Sequence, residues 1–366
     1  MTSALNHISS GFASSDAKVT KHPDCEGNLI FYRDSLAIER WKLLLSLLPA
    51  SGLFHSAEWI GLLRSAYKLR FVVAELRERE KVLAAVLMAH PYPRWISDRL
   101  TALPFSDFCP PLEAEPGAAI ALLGKLAQSG YSSRVEVRGA CGARPWQVSR
   151  TFMHWEVDCE IFRRGMNKVL GTAFRREVKR GQEEGLTVES GSSAAFFERF
   201  YRLQLQTRQR LGLPSQSRQF FQQVHRWFGT RNLGEVWLAQ RNGIDHAGVV
   251  LLFEKDVLHF KWGARSSEMA GGANHLLHWH IIENHWNRYQ RFDLGRSGNA
   301  NDGLSRWKRH IGGRASELAY SYLPTAPSVS NSEELSGIAQ GISKLWRRLP
   351  LPVTELVGTR LYRFLG

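Results

Sequence analysis

The chain has 366 residues, 43% of them hydrophobic and 22% charged, a composition that excludes a disordered or low-complexity polypeptide and is long for one domain. Its 48 Lys and Arg against 34 Asp and Glu leave a formal charge of +14 spread over several segments. An anionic partner is therefore expected, whether a nucleotide-linked substrate, an RNA or an acidic membrane surface. Cys25, Cys109, Cys141 and Cys159 are widely spaced without a CxxC pair, which speaks against a zinc site or a disulfide framework and for a reducing compartment. No basic region followed by an apolar core opens the chain, and its best apolar run, Trp41 to Leu53, is broken by Pro49. It falls short of the ~18 residues of a spanning helix, so a cytoplasmic location is expected.

Residues 1–27 are rich in Ser, Thr and Ala without periodicity and read as a disordered lead-in. From Asn28 an α/β pattern begins. Ser35–Leu48 and a segment from Ser56, with Trp59, Ile60, Leu63 and Tyr67 on one face, predict helices. Phe71–Glu75 and Val82–Ala89 predict a hairpin across a charged turn, Leu103–Phe108 is an aromatic turn, and Gly117–Ser129 and Arg134–Arg138 predict a helix and a strand. A second series follows: a helix over Met166–Glu184, a strand at Thr187–Glu189, and helices over Ala194–Arg210 and Arg218–Phe228. Strands at Gly234–Arg241, Ala247–Glu254 and Val257–Ala264 are joined by short turns and so read as antiparallel neighbours. A helix over Asn274–Tyr289 then crosses to a strand over Arg291–Leu294.

The stretch that follows carries the densest chemical signal. Gly295, Gly298, Asn299, Asn301 and Gly303 give the backbone freedom to approach a ligand. Asp302 is placed to cap a short helix carrying Arg306, Lys308 and Arg309, where an anion could sit. After a Pro/Ser linker, Ile342–Leu349 and Val353–Leu365 form a basic amphipathic tail. Two readings of that tail stand side by side: contact with a membrane surface, and helices docked on the body or on a second subunit.

Several words in order resemble the FemAB-like branch of the GNAT acyltransferase superfamily, including its BioF-like and CelD-like acetyltransferase domains. They are Phe54-His55-Ser56-Ala57-Glu58-Trp59, Leu103-Pro104-Phe105-Ser106-Asp107-Phe108, the basic helix Phe174–Gly181, and Thr207–Pro214. The last is Asp293-Leu294-Gly295-Arg296-Ser297, with Trp307-Lys308 and Gly312-Gly313 behind it. The tail wording is similar to the C-terminal extension of FemAB-like proteins associated with bacterial extracellular-polysaccharide and exosortase systems. The resemblance implies an α/β fold of two GNAT-like units packed together, each a mixed, mainly antiparallel sheet flanked by helices. A degenerate unit over 28–155 would precede a more intact one over 156–325, with a linker and helical tail over 326–366.

It further implies acyl or aminoacyl transfer to an amino sugar, a peptide precursor or a polysaccharide intermediate in the bacterial cell envelope. Lys308 is then the expected charge stabiliser and Trp307 shapes the pocket. Asp107 would accept a proton from the acceptor, an Asx-turn role being the competing explanation. Arg296 could clamp a phosphate or carboxylate, with Asp293 as its partner or as a loop hydrogen-bonder. Arg176, in the basic face Arg175–Arg180, and Arg208 are expected at substrate, against a solvated surface and a neutralised helix end respectively. In GNAT enzymes the loop entering the crossover helix cradles acyl-CoA pyrophosphate. Here Gly271, Gly272 and Asn274 occupy it, but the spacing departs from the motif and Glu268 would repel an anion, leaving room for aminoacyl-tRNA as donor. The histidines of the helix around His278 lack convergent ligand spacing, so no metal is expected, nor is DNA. The competing reading is a non-catalytic GNAT-like module that binds RNA, a nucleotide-sugar or a membrane-associated assembly.

Overall fold

The structure, a computed structural model, describes residues 18–20, 27–48, 52–91, 98–140, 144–298, 302–324 and 343–362. Cys25, Cys141, Asn299, Asn301, most of the lead-in and the Pro/Ser linker lie outside the described residues. The first elements are β1 (Lys18–Thr20), β2 (Asn28–Arg33), α1 (Asp34–Leu47), α2 (Ala57–Tyr67), β3 (Arg70–Glu78), β4 (Lys81–His90) and β5 (Arg99–Thr101). Next come β6 (Leu112–Glu113), α3 (Ala118–Gln128), β7 (Arg134–Val137), β8 (Gln147–Asp158), α4 (Met166–Val169), α5 (Thr172–Glu183) and β9 (Thr187–Gly191). Then follow α6 (Ala194–Leu211), α7 (Arg218–Trp227), β10 (Gly234–Arg241), β11 (Ile244–Glu254), β12 (Val257–Arg265) and α8 (Ala273–His285). The last are β13 (Arg291–Gly298), α9 (Asp302–His310), β14 (Arg314–Leu323) and α10 (Leu351–Leu361). Packing divides the chain into unit 1 (residues 1–60, 68–149 and 319–327) and unit 2 (residues 61–67, 150–318 and 328–366).

Unit 1 is a mixed sheet in the order β1-β2-β3-β4-β5-β7, with the second half of β14 antiparallel to β7 through Ser321↔Val137 to Leu323↔Val135. Among its described strands only β5 and β7 run parallel. Alternation along β3 sorts its residues between two layers. Val72, Ala74 and Leu76 join Leu122 and Leu126 of α3 in one core. Glu75 points the other way, toward α1, where Arg40 grips its carboxylate at 2.6 and 2.8 Å.

Unit 2 orders its strands β9-β10-β11-β12-β13-β8, antiparallel except for β12 and β13. Leu276, Leu277, Ile281 and Ile282 of α8, together with Phe174 and Val178 of α5, cover one face over Trp237, Val249 and Leu251. On α6 the buried residues Phe197, Phe200, Tyr201, Leu203 and Gln204 recur at helical spacing toward the opposite face. A Cβ on Gly248 would fall 3.1 Å from atoms of both Phe200 and Leu203, so α6 sits directly on the sheet.

Five local expectations change, the first within the lead-in, where Lys18–Thr20 form β1 because they pair antiparallel with β2. Met166–Glu184 is two helices, because Leu170 turns fully into the core and Gly171 restarts the chain as the N-cap of α5. The crossover helix stops at His285, and the backbone N–H groups of Gln290 and Arg291 both reach the Asp256 carbonyl to enter β13. β13 does not end at Leu294 but continues to Gly298, since β8, unread in the sequence, pairs with Arg296–Gly298. β14 was also unread.

Candidate active site

β12 and β13 are parallel, yet they pair only at Val257↔Arg291, Leu258↔Phe292 and His259↔Asp293. Each strand then bulges on its outer side. On β13 the register against β8 shifts between Asp293 and Arg296, and Gly295 takes the left-handed φ of 68° that such a bulge needs. On β12 the register against β11 shifts so that Val250 and Leu251 face Trp262 and Phe260. Beyond the His259–Asp293 pair the strands make no further pairing among the described residues. The carboxyl ends of parallel strands that part in this way are where α/β sheets hold ligands.

The point of parting is built from buried charge. Asp293 is 8% exposed, and its carboxylate accepts from His154 Nε2 at 3.0 Å, His259 Nδ1 at 2.9 Å and the Gly295 N–H at 2.6 Å. Burial opposes its ionisation, but the His154 and His259 hydrogen bonds outweigh this and hold the carboxyl far below its usual range. Burial also disfavours a charged His259, whose pKa is nonetheless raised by Asp293 and by Glu254, 3.2 Å from its Nε2. A carboxylate on each ring nitrogen favours the imidazolium form of His259, and the row Glu254–His259–Asp293–His154 fixes the bulge.

α9 brings Trp307 and Lys308 to the β13 side of the parting. Lys308 is 3% exposed, and its Nζ donates to the carbonyls of Gly295 (3.0 Å) and Arg296 (3.1 Å), the residues lifted by the bulge. Trp155 Nε1 donates to Ser297 Oγ at 2.8 Å, and Ser297 meets Ser305 at 3.3 Å, which ties α9 to β13. Trp307 stands edge-on to His278 of α8 at 4.5 Å, and His278 stacks on Phe260, the β12 residue just past the parting, at 5.8 Å. Burial pushes the His278 pKa down to about 4. The neutral ring donates from Nδ1 to the Asn274 carbonyl at 2.7 Å, which makes Nε2 the nitrogen that carries the lone pair. The indole N–H of Trp307 is buried and has no partner among the described residues.

Of the other expected residues, Asp293 is partnered by two histidines rather than by Arg296, whose guanidinium lies 4.4 Å over the Phe152 ring. Arg176 is exposed on α5. Arg208 donates from Nε to the Pro214 carbonyl at 2.9 Å and lies over Tyr362, so it braces the end of α6. Asp107 belongs to unit 1, on a turn where Leu103 and Phe105 hold positive φ of 38° and 67°. Such strain costs about 1–3 kcal/mol per residue and persists only where the surroundings enforce it. Here Trp59 Nε1 donates to Ser106 Oγ at 2.8 Å, Arg138 donates to the Ser106 carbonyl, and Tyr320 Oη donates to the Asp107 carbonyl at 2.6 Å.

At the start of α8 the glycines serve close packing. A Cβ on Gly272 would lie 2.2 Å from the Glu177 carbonyl oxygen, and one on Gly271 would lie 2.3 Å from Arg180 Nε, so α5 sits against this turn. Asn274 is in the first turn of α8. Two neighbouring cations stand at the ends of β12 and α6. Arg265 ends β12, its backbone N–H and carbonyl both bonded to Thr207 Oγ1 at 2.7 and 2.8 Å, and Arg210 stands nearby on α6. Neither arginine has a carboxylate partner among the described residues, and Arg210 Nε and Ser266 Oγ are buried with no hydrogen bond. Burial, then the neighbouring Arg265, lowers the Arg210 pKa. This is a place prepared for an anion.

Sequence reasoning did not reach His154, His259 or Arg265. The available signal was a histidine at an inward position of an otherwise apolar strand. Among the described residues no group of three or more His, Cys, Asp or Glu could hold a metal ion. A cavity of about 530 Å³ lies at the amino end of β13, lined by Asp158, Cys159, Arg163, Trp286, Arg288 and Tyr289, and contains none of the residues above.

Residues 171–309, inside unit 2, match the family model described as Acetyltransferase (GNAT) domain. Among solved structures, FemX aligns with a TM-score of 0.56 and 12% identity over 84% of this chain and 100% of its own. The C-terminal domain of a candidate lysylphosphatidylglycerol synthetase from Agrobacterium fabrum aligns at 0.54 and 13%, over 84% of this chain and 96% of its own. A tandem GNAT protein from the clavulanic acid biosynthesis pathway aligns at 0.50 and 12%, over 81% and 99%. These are likenesses of fold, and they fit a chain of two GNAT-like units, the second of which carries the domain match. No curated protein matches it significantly.

Proposed function

We propose that the protein transfers an acyl or aminoacyl group from a phosphate-bearing activated donor to an amine or hydroxyl of a cell-envelope or polysaccharide precursor. The observation that carries this reading is the parting of β12 and β13 just past His259–Asp293, with Lys308 seated on the lifted carbonyls of β13. In direct transfer the acceptor's nitrogen or oxygen forms a bond to the acyl carbonyl, the donor's C–S or C–O bond breaks, and the acceptor's proton ends on the leaving group. A fixed ammonium beside the reacting carbon stabilises the charge that develops on oxygen or on the leaving group, and costs no reorganisation at that moment. The neutral Nε2 of His278 is the proposed acceptor for the nucleophile's proton. Arg210 and Arg265 fit donor phosphate, which acyl-CoA and aminoacyl-tRNA share.

The test is transfer by the purified protein from acyl-CoA and from aminoacyl-tRNA to envelope precursors. Lys308→Met is expected to lower kcat by about 10²–10³-fold. The carbonyls it strands cost roughly 1–3 kcal/mol of stability, so folding is followed alongside. Arg265→Gln is expected to raise the KM for the donor while leaving kcat nearly unchanged. Undiminished transfer by folded Lys308→Met, or no transfer from either donor, defeats the proposal. The second reading, a binding module without turnover, draws on the glycines of α8 being occupied by α5. Ligand-dependent thermal stabilisation with no product would favour it.

A further inference from the structure

We infer that the C-terminal segment of unit 2 is a docked platform whose outer face binds an anionic lipid surface. The inner face of residues 343–362 is settled on the body of its own unit. Trp346 and Thr354 are buried, Gln209 Nε2 donates to the Leu349 carbonyl at 2.5 Å, and Arg218 donates to Glu355 at 3.3 Å. Ser343 sits so close to Gly212, at the end of α6, that a Cβ there would lie 2.0 Å from its Oγ. The segment therefore does not need a partner to hold it in place.

Its outer face is of a different kind. Leu345 is 62% exposed and Leu356 59%, while Leu211 and Leu213, on either side of the Gly212–Ser343 contact, are 44% and 41% exposed. Isolated exposed leucines are ordinary, but Leu211, Leu213 and Leu345 all lie within two residues of the Gly212–Ser343 contact. Interleaved with them, Lys344, Arg347 and Arg348 are exposed and have no acidic partner among the described residues. A second copy of the chain is a poor occupant, because a two-fold contact would set these cations against themselves. A nucleic acid would satisfy the cations but not the leucines. A surface of anionic headgroups over acyl chains satisfies both. This proposal is independent of the transfer chemistry, since no residue of the candidate active site takes part.

Flotation of the full-length protein with phosphatidylcholine vesicles, and with phosphatidylcholine mixed with phosphatidylglycerol, tests it directly. The wild type is expected to float with the mixed vesicles only, and less so at high salt. Leu345→Ser, which leaves the charge unchanged and alters an exposed side chain, is expected to weaken binding by about tenfold. Arg347→Gln with Arg348→Gln is expected to weaken it by roughly fivefold for each charge. Unchanged melting of the variants shows that the fold is kept. The inference is overturned if the protein does not float, if neutral vesicles bind equally, or if Leu345→Ser floats as the wild type does. It is equally overturned by salt-sensitive binding to tRNA that ignores Leu345→Ser in place of flotation, or by a dimer in light scattering that Leu345→Ser dissolves.

Discussion

Replacing Asp293 by Asn removes one negative charge from the row Glu254–His259–Asp293–His154 and changes almost nothing in volume. The wild-type carboxylate accepts hydrogen bonds of 3.0, 2.9 and 2.6 Å and is 8% exposed. An amide can keep the bond from Gly295 through its oxygen, but its NH₂ then faces the N–H of His259. Removing one partner from a buried ion pair costs about 3–5 kcal/mol, a large share of the 5–15 kcal/mol that holds typical domains together. The pH dependence changes as well. His259 has a pKa raised above its ordinary 6.5, so its contribution is complete below that value and is lost as pH rises through the raised one. Asp293, held below its ordinary 3.8, contributes above that value, and the contribution is lost as pH falls through the depressed one. In Asp293→Asn the acid-side loss from this group disappears, and the alkaline loss moves toward 6.5 because only Glu254 still supports the His259 charge. Urea midpoints for wild type, Asp293→Asn, His259→Gln and the double variant, measured from pH 5 to pH 9, separate these effects. The single losses should sum to more than the double by at least about 1 kcal/mol. Additive losses, or an unchanged midpoint in Asp293→Asn, would refute the coupled row.

Two further expectations follow from the same region. His278, pushed down to about 4 from 6.5 by burial, stays neutral in the fold while the unfolded chain takes up a proton, so stability falls as pH drops from 6.5 toward 4. At about 1.4 kcal/mol per unit this amounts to roughly 3 kcal/mol, and His278→Phe should flatten that part of the curve in calorimetric melting between pH 7 and pH 4. Gly272→Ala combines a φ of 76° with a Cβ placed 2.2 Å from the Glu177 carbonyl, so α5 must move off α8. A loss of about 3 kcal/mol or more is expected in denaturant unfolding, and an unchanged midpoint would mean the turn is looser than described.

Much of the architecture was legible in the sequence because alternation and helical spacing are local properties. The hairpin around Arg77–Glu80, the meander from Gly234 to Arg265 and the crossover helix all announce themselves this way. β14 did not, since RASELAYSYL buries only Leu318, Tyr320 and Ser321 and has no apolar run to detect. β8 carries Met153, Trp155 and Val157 between polar residues, a pattern that becomes a strand only once β13 lies beside it. At the site, Trp307-Lys308 stood out as a word, but what Lys308 holds depends on a bulge, and a bulge is a relation between two strands. His154 and His259 converge on Asp293 from separations of 139 and 34 residues, which no local pattern encodes.

β14 passes from unit 2 into unit 1, and Ser321–Leu323 close the sheet beside β7. The order of synthesis is therefore not the order of assembly. A nascent chain that has emerged as far as β7 still lacks that closing strand, and it must wait for nearly two hundred further residues before the open edge is covered. An unpaired edge invites pairing with other chains, so the interval is a window of vulnerability on the ribosome. Genetic dissection of this protein meets the same constraint: a fragment cut between the units in sequence severs unit 1 from its last strand.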